Sequence, residues 1–259
     1  DEDLHGGIAH HECLEASWDA QAEIEDALVN RRRLVFASYD QYKYFDSFDH
    51  RFTRSLLAAH GVPLPLVDMW FDLNSQAVRR IKIGKHFGPK HTVFNGVGQG
   101  DPLSLLPALI LTSIQFAAIK TRWPGMQMSA VIDDRNFRGS LQQIVESMDY
   151  IDKFDRAAGH LLQHKKTVMA ATNPGDRRHL RKLRVGPENK PVAVKPHLVL
   201  VGDVISTSLR ASSEEPDRRV ADALCVARNV TALRLGGKAA AYSVKAAVLP
   251  KMLYGTQWS

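Results

Sequence analysis

Apolar positions fall into alternating helical and strand-like patterns along the chain. In LEASWDAQAEIEDALVN (14–30), Leu14, Trp18, Ile24 and Leu28 recur near helical spacing and predict a helix. RLVFASYD (33–40) is a short run of β-forming residues and predicts a buried strand ending at Asp40. DHRFTRSLLAAHG (49–61) reads as a helix stopped by Gly61, and PLPLVDMWFDLNSQA (63–77) as a second helix opening after prolines. VRRIKIGKHFGPKHTVF (78–94) alternates on both sides of GKHFG, the pattern of a β-hairpin. NGVGQGDPLSLLPALILTSIQFAAIK (95–120) predicts a glycine-rich loop, then a buried helix from about Leu103 that Pro107 could kink.

MQMSAVIDDRNFRG (126–139) predicts strand, tight turn and strand, with Asp133 and Asp134 at the turn. SLQQIVESMDYIDKFDRAAGH (140–160) is amphipathic, with Ser140 as the expected N-cap and Gly159 near the C-terminus. KKTVMAAT (165–172) and PHLVLVGDVIS (196–206) read as strands, and the tail from Glu214 carries two helices broken at RLGGK. This order predicts an α+β fold, an antiparallel sheet with helices on one face.

With 259 residues, 44% of them hydrophobic, the chain is long enough for one large domain or two smaller ones. It holds no run of 18 uninterrupted apolar residues, so no membrane span or membrane partner is expected. The acidic, polar start does not resemble a signal or transit peptide, and Asp1 in place of Met suggests a fragment or a processed chain. Two cysteines, Cys13 and Cys225, point to a reducing compartment rather than a disulfide framework. The formal charge of +6 fits a polyanion partner. Basic residues gather at Arg31–Arg33, at Arg79, Arg80, Lys82 and Lys85, and in DRRHLRKLR (176–184). Each run alone also fits a solvated face.

Asp133 and Asp134 raise an electrostatic question. Two carboxylates about 4 Å apart repel by about 4 kcal/mol at an effective dielectric near 20. Water relieves this on a surface turn; at the end of an apolar strand a cation does so better, and hard oxygen ligands suit magnesium. VIDDRNF alone also fits an ordinary Asp-rich turn. Asp40 changes the balance, because it too ends an apolar strand that could lie beside the first. Three such carboxylates could hold two metal ions for an in-line phosphoryl displacement. HHEC (10–13) has zinc-ligand atoms but lacks a second half, so no zinc set is expected there. GVGQGDPLS (96–104) is neither a P-loop nor a dinucleotide fingerprint, and an ordinary hairpin-to-helix connector is its plainer reading. Gly96, Gly98 and Gly100 would allow close backbone approach to a ligand, and Gln99 offers both a donor and an acceptor.

Over about residues 34–255, the motifs and their order resemble the reverse transcriptase of non-LTR (LINE-type) retrotransposons and the related group II intron enzymes. YDQYKYFDSFDH resembles the first palm motif, D-x-x-K-A-F-D-S-V-D-H, which implies Asp40 as a metal ligand and Phe45 as the aromatic that screens the sugar 2′ position. NGVGQGDPLSLLPALI is similar to G-x-P-Q-G-x-x-L-S-P, which implies that Gln99, flanked by Gly98 and Gly100, contacts the incoming nucleotide and template. VIDDRNF matches A-D-D, making Asp133 the second metal ligand and Asp134 its partner. GHLLQHKKT resembles G-L-x-x-N-x-x-K-T and implies Lys166 near the leaving pyrophosphate. LVLVGDVIS resembles the primer-grip hairpin, and the tail through VLPKMLYG the start of a thumb. The chain departs from these patterns at Gly98, Leu105, Ile132, Gln163 and Tyr44.

The resemblance implies a right-hand palm at 34–205 with a fingers-side hairpin near 77–95, a remnant of fingers at 1–33 with most of the fingers missing, and a partial thumb at 206–259. It implies an RNA-directed DNA polymerase using two Mg2+ ions, or Mn2+, with an RNA template, a DNA primer, dNTPs and further segments of a larger polyprotein as partners, in the nucleus or cytoplasm. Arg177, Arg178, Arg181 and Lys182 are expected to border the duplex. A degenerate palm acting as an RNA-binding or structural subunit is the rival. An RNA-synthesising palm is a third reading, which Phe45 opposes.

Overall fold

The computed structural model describes residues 3–185, 189–201, 203–208 and 214–253. Gly202 of the primer-grip motif, and Tyr254 and Gly255 at the end of the thumb-like motif, lie outside them, as do the rest of 209–213 and 254–259 of the expected thumb.

Helix α1 (Cys13–Val29) precedes β1 (Val35–Tyr39) and the two-residue β2 (Gln41–Tyr42). A 3-10 turn at Phe45–Ser47 leads into α2 (His50–Ala59) and α3 (Leu64–Ser75). The expected hairpin forms as two nested pairs: β3 (Val78–Arg79) with β6 (His91–Thr92), and β4 (Lys82–Ile83) with β5 (His86–Phe87). Then come α4 (Pro102–Arg122), β7 (Gln127–Val131), β8 (Asp134–Gly139) and α5 (Leu141–Ala157). β9 (Leu161–Leu162), β10 (Val168–Ala171), α6 (Pro174–Leu180), β11 (Arg184–Val185), β12 (Lys190–Pro191) and β13 (Ala193–Val194) follow. A separate hairpin, β14 (His197–Leu200) and β15 (Asp203–Ser206), precedes α7 (Glu214–Ala232), α8 (Gly237–Ser243) and α9 (Leu249–Leu253), with a π-helical turn at Val244–Val248.

The main sheet has the order β13-β10-β1-β8-β7, so β1 is central. Its pairings are antiparallel except for β10 with β13, a parallel pair that strand patterning does not reveal. Val35, Ala37 and Tyr39 of β1 point into a core with Phe116 and Ile119 of α4 and Ile144 and Ile151 of α5. Phe36 points the other way, into a core with Ala20, Ile24 and Ala27 of α1 and with Leu198, Leu200 and Ile205 of the β14–β15 hairpin. The expectation of helices on one face is therefore corrected. Both sides of β1 are apolar, so both need cover, and α1 supplies part of the second.

Helix α4 is long and apolar enough to cross a membrane. In the fold it joins two cores: Phe116 and Ile119 meet the sheet, whereas Ala108 and Leu111 pack with Leu56, Leu57, Val67 and Trp70 of α2 and α3. The expected cap at Ser140 forms, and Asp49 caps α2 in addition. Ser140 Oγ accepts the Gln143 N–H at 3.2 Å while Gln143 Oε1 accepts the Ser140 N–H at 2.9 Å, closing a capping box on α5. Asp49 Oδ1 accepts the Phe52 N–H at 2.8 Å and starts α2.

Candidate active site

Three adjacent strands bring the candidate chemistry to one end of the sheet. Tyr39 of β1 pairs with Arg135 of β8, so Asp40, just beyond Tyr39, and Asp134, just before Arg135, lie at the same end. Val131 pairs with Asp134, which leaves Ile132 and Asp133 as a two-residue hairpin loop. Ile132 has φ +60°, a left-handed conformation that a β-branched residue rarely adopts. Strain of this kind costs about 1–3 kcal/mol and persists only where the surroundings enforce it.

The carboxyls are crowded. Burial, with the Asp40 charge beside it, raises Asp133 above the ordinary carboxylate range; its own backbone N–H, Lys166 and Arg135 work against the rise. Asp134 keeps an exposed face, yet the protein around it strips enough water, and Asp133 and Asp40 repel it enough, to lift it to about 6. Lys166 supplies the nearby cation, its Nζ 3.1 Å from Asp40 Oδ2, and this pairing raises the lysine in turn. β10 opposite β1 brings the lysine there: Val168 pairs with Ser38, and the turn before it hangs on Asp40, whose carbonyl accepts the Gln163 N–H at 2.8 Å. Gln163, at the motif's asparagine position, closes that turn by accepting the Lys166 and Thr167 N–H groups at 3.0 Å each. Among the described residues, the three acids do not form a set whose ligand oxygens all lie within 4.8 Å of one another. The donors are nonetheless all hard oxygens under mutual repulsion, which fits Mg2+ or Mn2+.

The glycine-rich loop docks on the segment after Asp40. Val97 N–H donates to the Phe45 carbonyl at 2.9 Å and Gly96 N–H to the Phe48 carbonyl at 2.7 Å. A Cβ at Gly96 would come within 3.1 Å of the Asp46 backbone, and φ there is +91°. Gly96 thus serves a contact inside the protein instead of the ligand approach expected of it. Gln99 and Gly100 stay exposed at the loop tip, and Gly98 is half-buried behind them. Phe45 is also half-buried, edge-on to Tyr44 at 5.4 Å between ring centroids. Tyr44, bulkier than the motif residue, is accommodated in a buried cluster with Phe48 and His160.

Sequence reading missed two supports. Arg135 is buried next to the acidic turn and forms a two-pronged pair with Asp155 of α5, at 2.8 and 2.7 Å, while its Nη1 also donates to Gln115 of α4. Gln115 Nε2 donates to Asp155 at 3.0 Å, closing the set. The local sequence DRNFRG, with arginines at both 135 and 138, did not single Arg135 out. His160 meets Ser47 Oγ at 2.7 Å, and burial holds its imidazole down to about 4.

The basic run falls elsewhere. Ala171, the last residue of β10, pairs with Val35, the first of β1, so α6 and its arginines lie at the opposite end of the sheet from Asp40. Five residues of strand separate the two ends, about 16 Å. Arg177 turns inward and donates to the Ala171 carbonyl at 2.5 Å; Arg178, Arg181 and Lys182 are exposed. Asp176 is buried and paired with Arg33, which joins the first and third basic runs of the sequence.

No family model matches the chain, and no curated protein matches it. Solved structures do. A telomerase from Candida tropicalis in complex with a TWJ fragment of telomeric RNA is similar over 100% of this chain and 43% of its own, at 12% identity and a TM-score of 0.57. An apo telomerase from the same organism, truncated from its C-terminal domain, is similar over 80% of this chain and 40% of its own, at 14% identity and 0.54. A Candida albicans telomerase with a TWJ fragment is similar over 88% and 40%, at 13% and 0.53. The chain thus spans less than half the length of the proteins it matches. At these identities the likeness is one of fold: a mixed α+β fold like that of telomerase, a reverse-transcriptase-type polymerase.

Proposed function

We propose that the chain is the palm of a reverse transcriptase of retroelement type, similar to those of non-LTR retrotransposons, which extends a DNA primer on an RNA template with dNTPs. The observation that carries the proposal is the convergence of Asp40, Asp133, Asp134 and Lys166 at one end of three neighbouring strands, in a fold like that of telomerase. Asp40, Asp133 and Asp134 would hold the divalent ions, which when bound supply charge stabilisation for phosphoryl transfer. In this reading the primer 3′-oxygen attacks the α-phosphorus, and the bond to the bridging oxygen breaks to release pyrophosphate. Lys166, whose pairing with Asp40 further favours the charged form, would present a cation to the leaving phosphates. Phe45, held from behind by the glycine-rich loop, would close the space that a ribose 2′-hydroxyl needs. Gln99 would offer its amide to nucleotide and template from the exposed loop tip. The exposed hairpin with Arg79, Arg80, Lys82 and Lys85, interleaved with Ile81, Ile83 and Phe87, suits an RNA strand. The helices α7, α8 and α9 pack together and would serve as the start of a thumb. Cys13 and Cys225 are both free, in keeping with a nuclear or cytoplasmic setting.

The test is primer extension on an RNA template with Mg2+ and dNTPs, with Asp133→Asn as control. The proposal expects extension that the variant abolishes. Folded protein that binds RNA without extending the primer would instead make it a non-catalytic subunit. Preferential use of ribonucleotides would make it an RNA-synthesising palm.

A further inference from the structure

The N-terminal segment carries a second cluster of ligand-bearing side chains, away from the acids. One ligand atom each from His5, His11 and Glu15 lies within 4.8 Å of the others. His5 is 3% exposed, and its Nδ1 has no hydrogen-bond partner. That nitrogen lies 3.5 Å from Glu15 Oε2, and the His11 Nδ1 is likewise buried without a hydrogen-bond partner. The two imidazole rings are 5.6 Å apart and tilted by 56°. A buried polar atom without a partner costs about 1–3 kcal/mol, so two in one cluster need an explanation.

We infer that His5, His11 and Glu15 form a binding site for a d-block divalent cation of the zinc type, distinct from the oxygen-only cluster at Asp40, Asp133 and Asp134. Two imidazole nitrogens and one carboxylate oxygen are the donor set zinc accepts, with the fourth position left to water. Ligand atoms on a tetrahedral zinc lie about 3.4 Å apart, given bonds of about 2.0–2.1 Å, so the His5–Glu15 spacing is already suitable. Glu15 is also oriented from behind, because Oε2 accepts the Glu12 backbone N–H at 3.1 Å at the start of α1.

The site's position gives the ion a structural role. His5 N–H donates to the Ala130 carbonyl at 2.7 Å, and Ala130 N–H to the Asp3 carbonyl at 2.9 Å, so the segment adds to β7 just before the acidic turn. Gly6, at φ +94°, packs so closely that a Cβ there would meet Ile132 Cγ1 at 3.1 Å. A cation held by His5, His11 and Glu15 would tie this segment to α1 and so buttress the strained turn at Ile132. Sequence reading passed over the site because it saw ligands only in HHEC. The fold uses His11 from that motif, adds Glu15 from the next helical turn, and brings in His5 across the Gly6–Gly7 bend.

Chelator-treated full-length chain titrated with Co2+, then displaced by Zn2+, tests the inference. The expected result is one equivalent of Co2+ with visible d–d bands, displaced by Zn2+ and untouched by excess Mg2+. His11→Ala and Glu15→Gln should each weaken binding by at least the roughly 10–100-fold that loss of a mere supporting residue causes. His10→Ala and Asp133→Asn should leave it unchanged. Circular dichroism confirms that each variant is folded, and Glu15→Gln, at an exposed residue, guards against misfolding of the histidine variant. Absence of the bands in folded wild type, or binding that His11→Ala and Glu15→Gln do not alter, would overturn the inference. Neither result bears on primer extension, so the two proposals fail independently.

Discussion

Two neighbouring parts of β8 treat charge in opposite ways. Arg135 and Asp155 are each about 96–97% buried, and each finds its opposite charge and further hydrogen bonds inside the protein. Asp134 and Asp133, one and two residues earlier, repel each other and Asp40, with Lys166 as the nearby cation. The first arrangement is closed, since its ions answer one another. The second carries an excess of negative charge that the protein itself does not balance. Internally paired charge holds the fold; unbalanced charge at a strained turn is what the proposed site would offer a cation.

Breaking the closed set should have the largest effect. Arg135→Ala leaves Asp155 buried without its partner and should cost about 3–5 kcal/mol in urea unfolding. Arg135→Met with Asp155→Leu should recover much of that loss. A single-variant cost below about 1 kcal/mol would erase the contrast between the two regions.

The pH dependence sharpens it next. His160 is held near 4 in the fold against an ordinary 6.5, so between these values the unfolded chain takes up the proton first and stability falls as pH falls. Across that window the loss is on the order of 3 kcal/mol, and His160→Gln should flatten it. Asp134 runs the other way. Its folded value of about 6 lies above the ordinary 3.8, so between pH 6 and 4 the native state takes up the proton first and gains stability. Asp134→Asn should therefore steepen the acid-side loss. Thermal midpoints at half-unit pH steps would read both slopes.

Two smaller effects concern the substrate. Phe45→Ala or Phe45→Val should raise the use of ribonucleotides relative to deoxyribonucleotides by about tenfold, roughly 1.4 kcal/mol of discrimination. An unchanged ratio in an active variant would make Phe45 a core aromatic only. Neutralising Arg178, Arg181 and Lys182 should lower the salt slope of RNA/DNA hybrid binding by up to about one unit per lost phosphate contact. Arg177 is best left in place because it bonds to β10. An identical slope would put the path of the duplex elsewhere.

Much of this was legible in the sequence because its causes are local. A strand leading into Asp40, a tight turn beside the Asp133–Asp134 doublet, a Ser140 cap and the 78–94 hairpin all follow from short-range pattern, although the loop itself is Ile132–Asp133 and Asp134 already belongs to β8. What was not legible depends on long-range pairing. Arg135 gave no sign that its partners stand 20 residues away on either side, at Gln115 and Asp155. The alternation of β1 did not say which element would cover Phe36. Gly96 looked like a ligand contact because a close backbone approach reads the same in sequence whether the neighbour is a nucleotide or Asp46. The basic run was assigned by its position between motifs, whereas the antiparallel return of β10 carries it to the other end of the sheet.

The proposed role of Asp40, Asp133 and Asp134 is to hold cations and not to stabilise the fold. Thermal unfolding at pH 7.5 across a Mg2+ titration, for wild type, Asp133→Asn and Asp134→Asn, tests it most directly. A cation-holding role requires that wild type is stabilised by Mg2+, that both variants respond less, and that Asp134→Asn without Mg2+ is at least as stable as wild type because a repulsion has been removed. A wild type indifferent to Mg2+, with both variants destabilised, would contradict it and make the acids part of the scaffold.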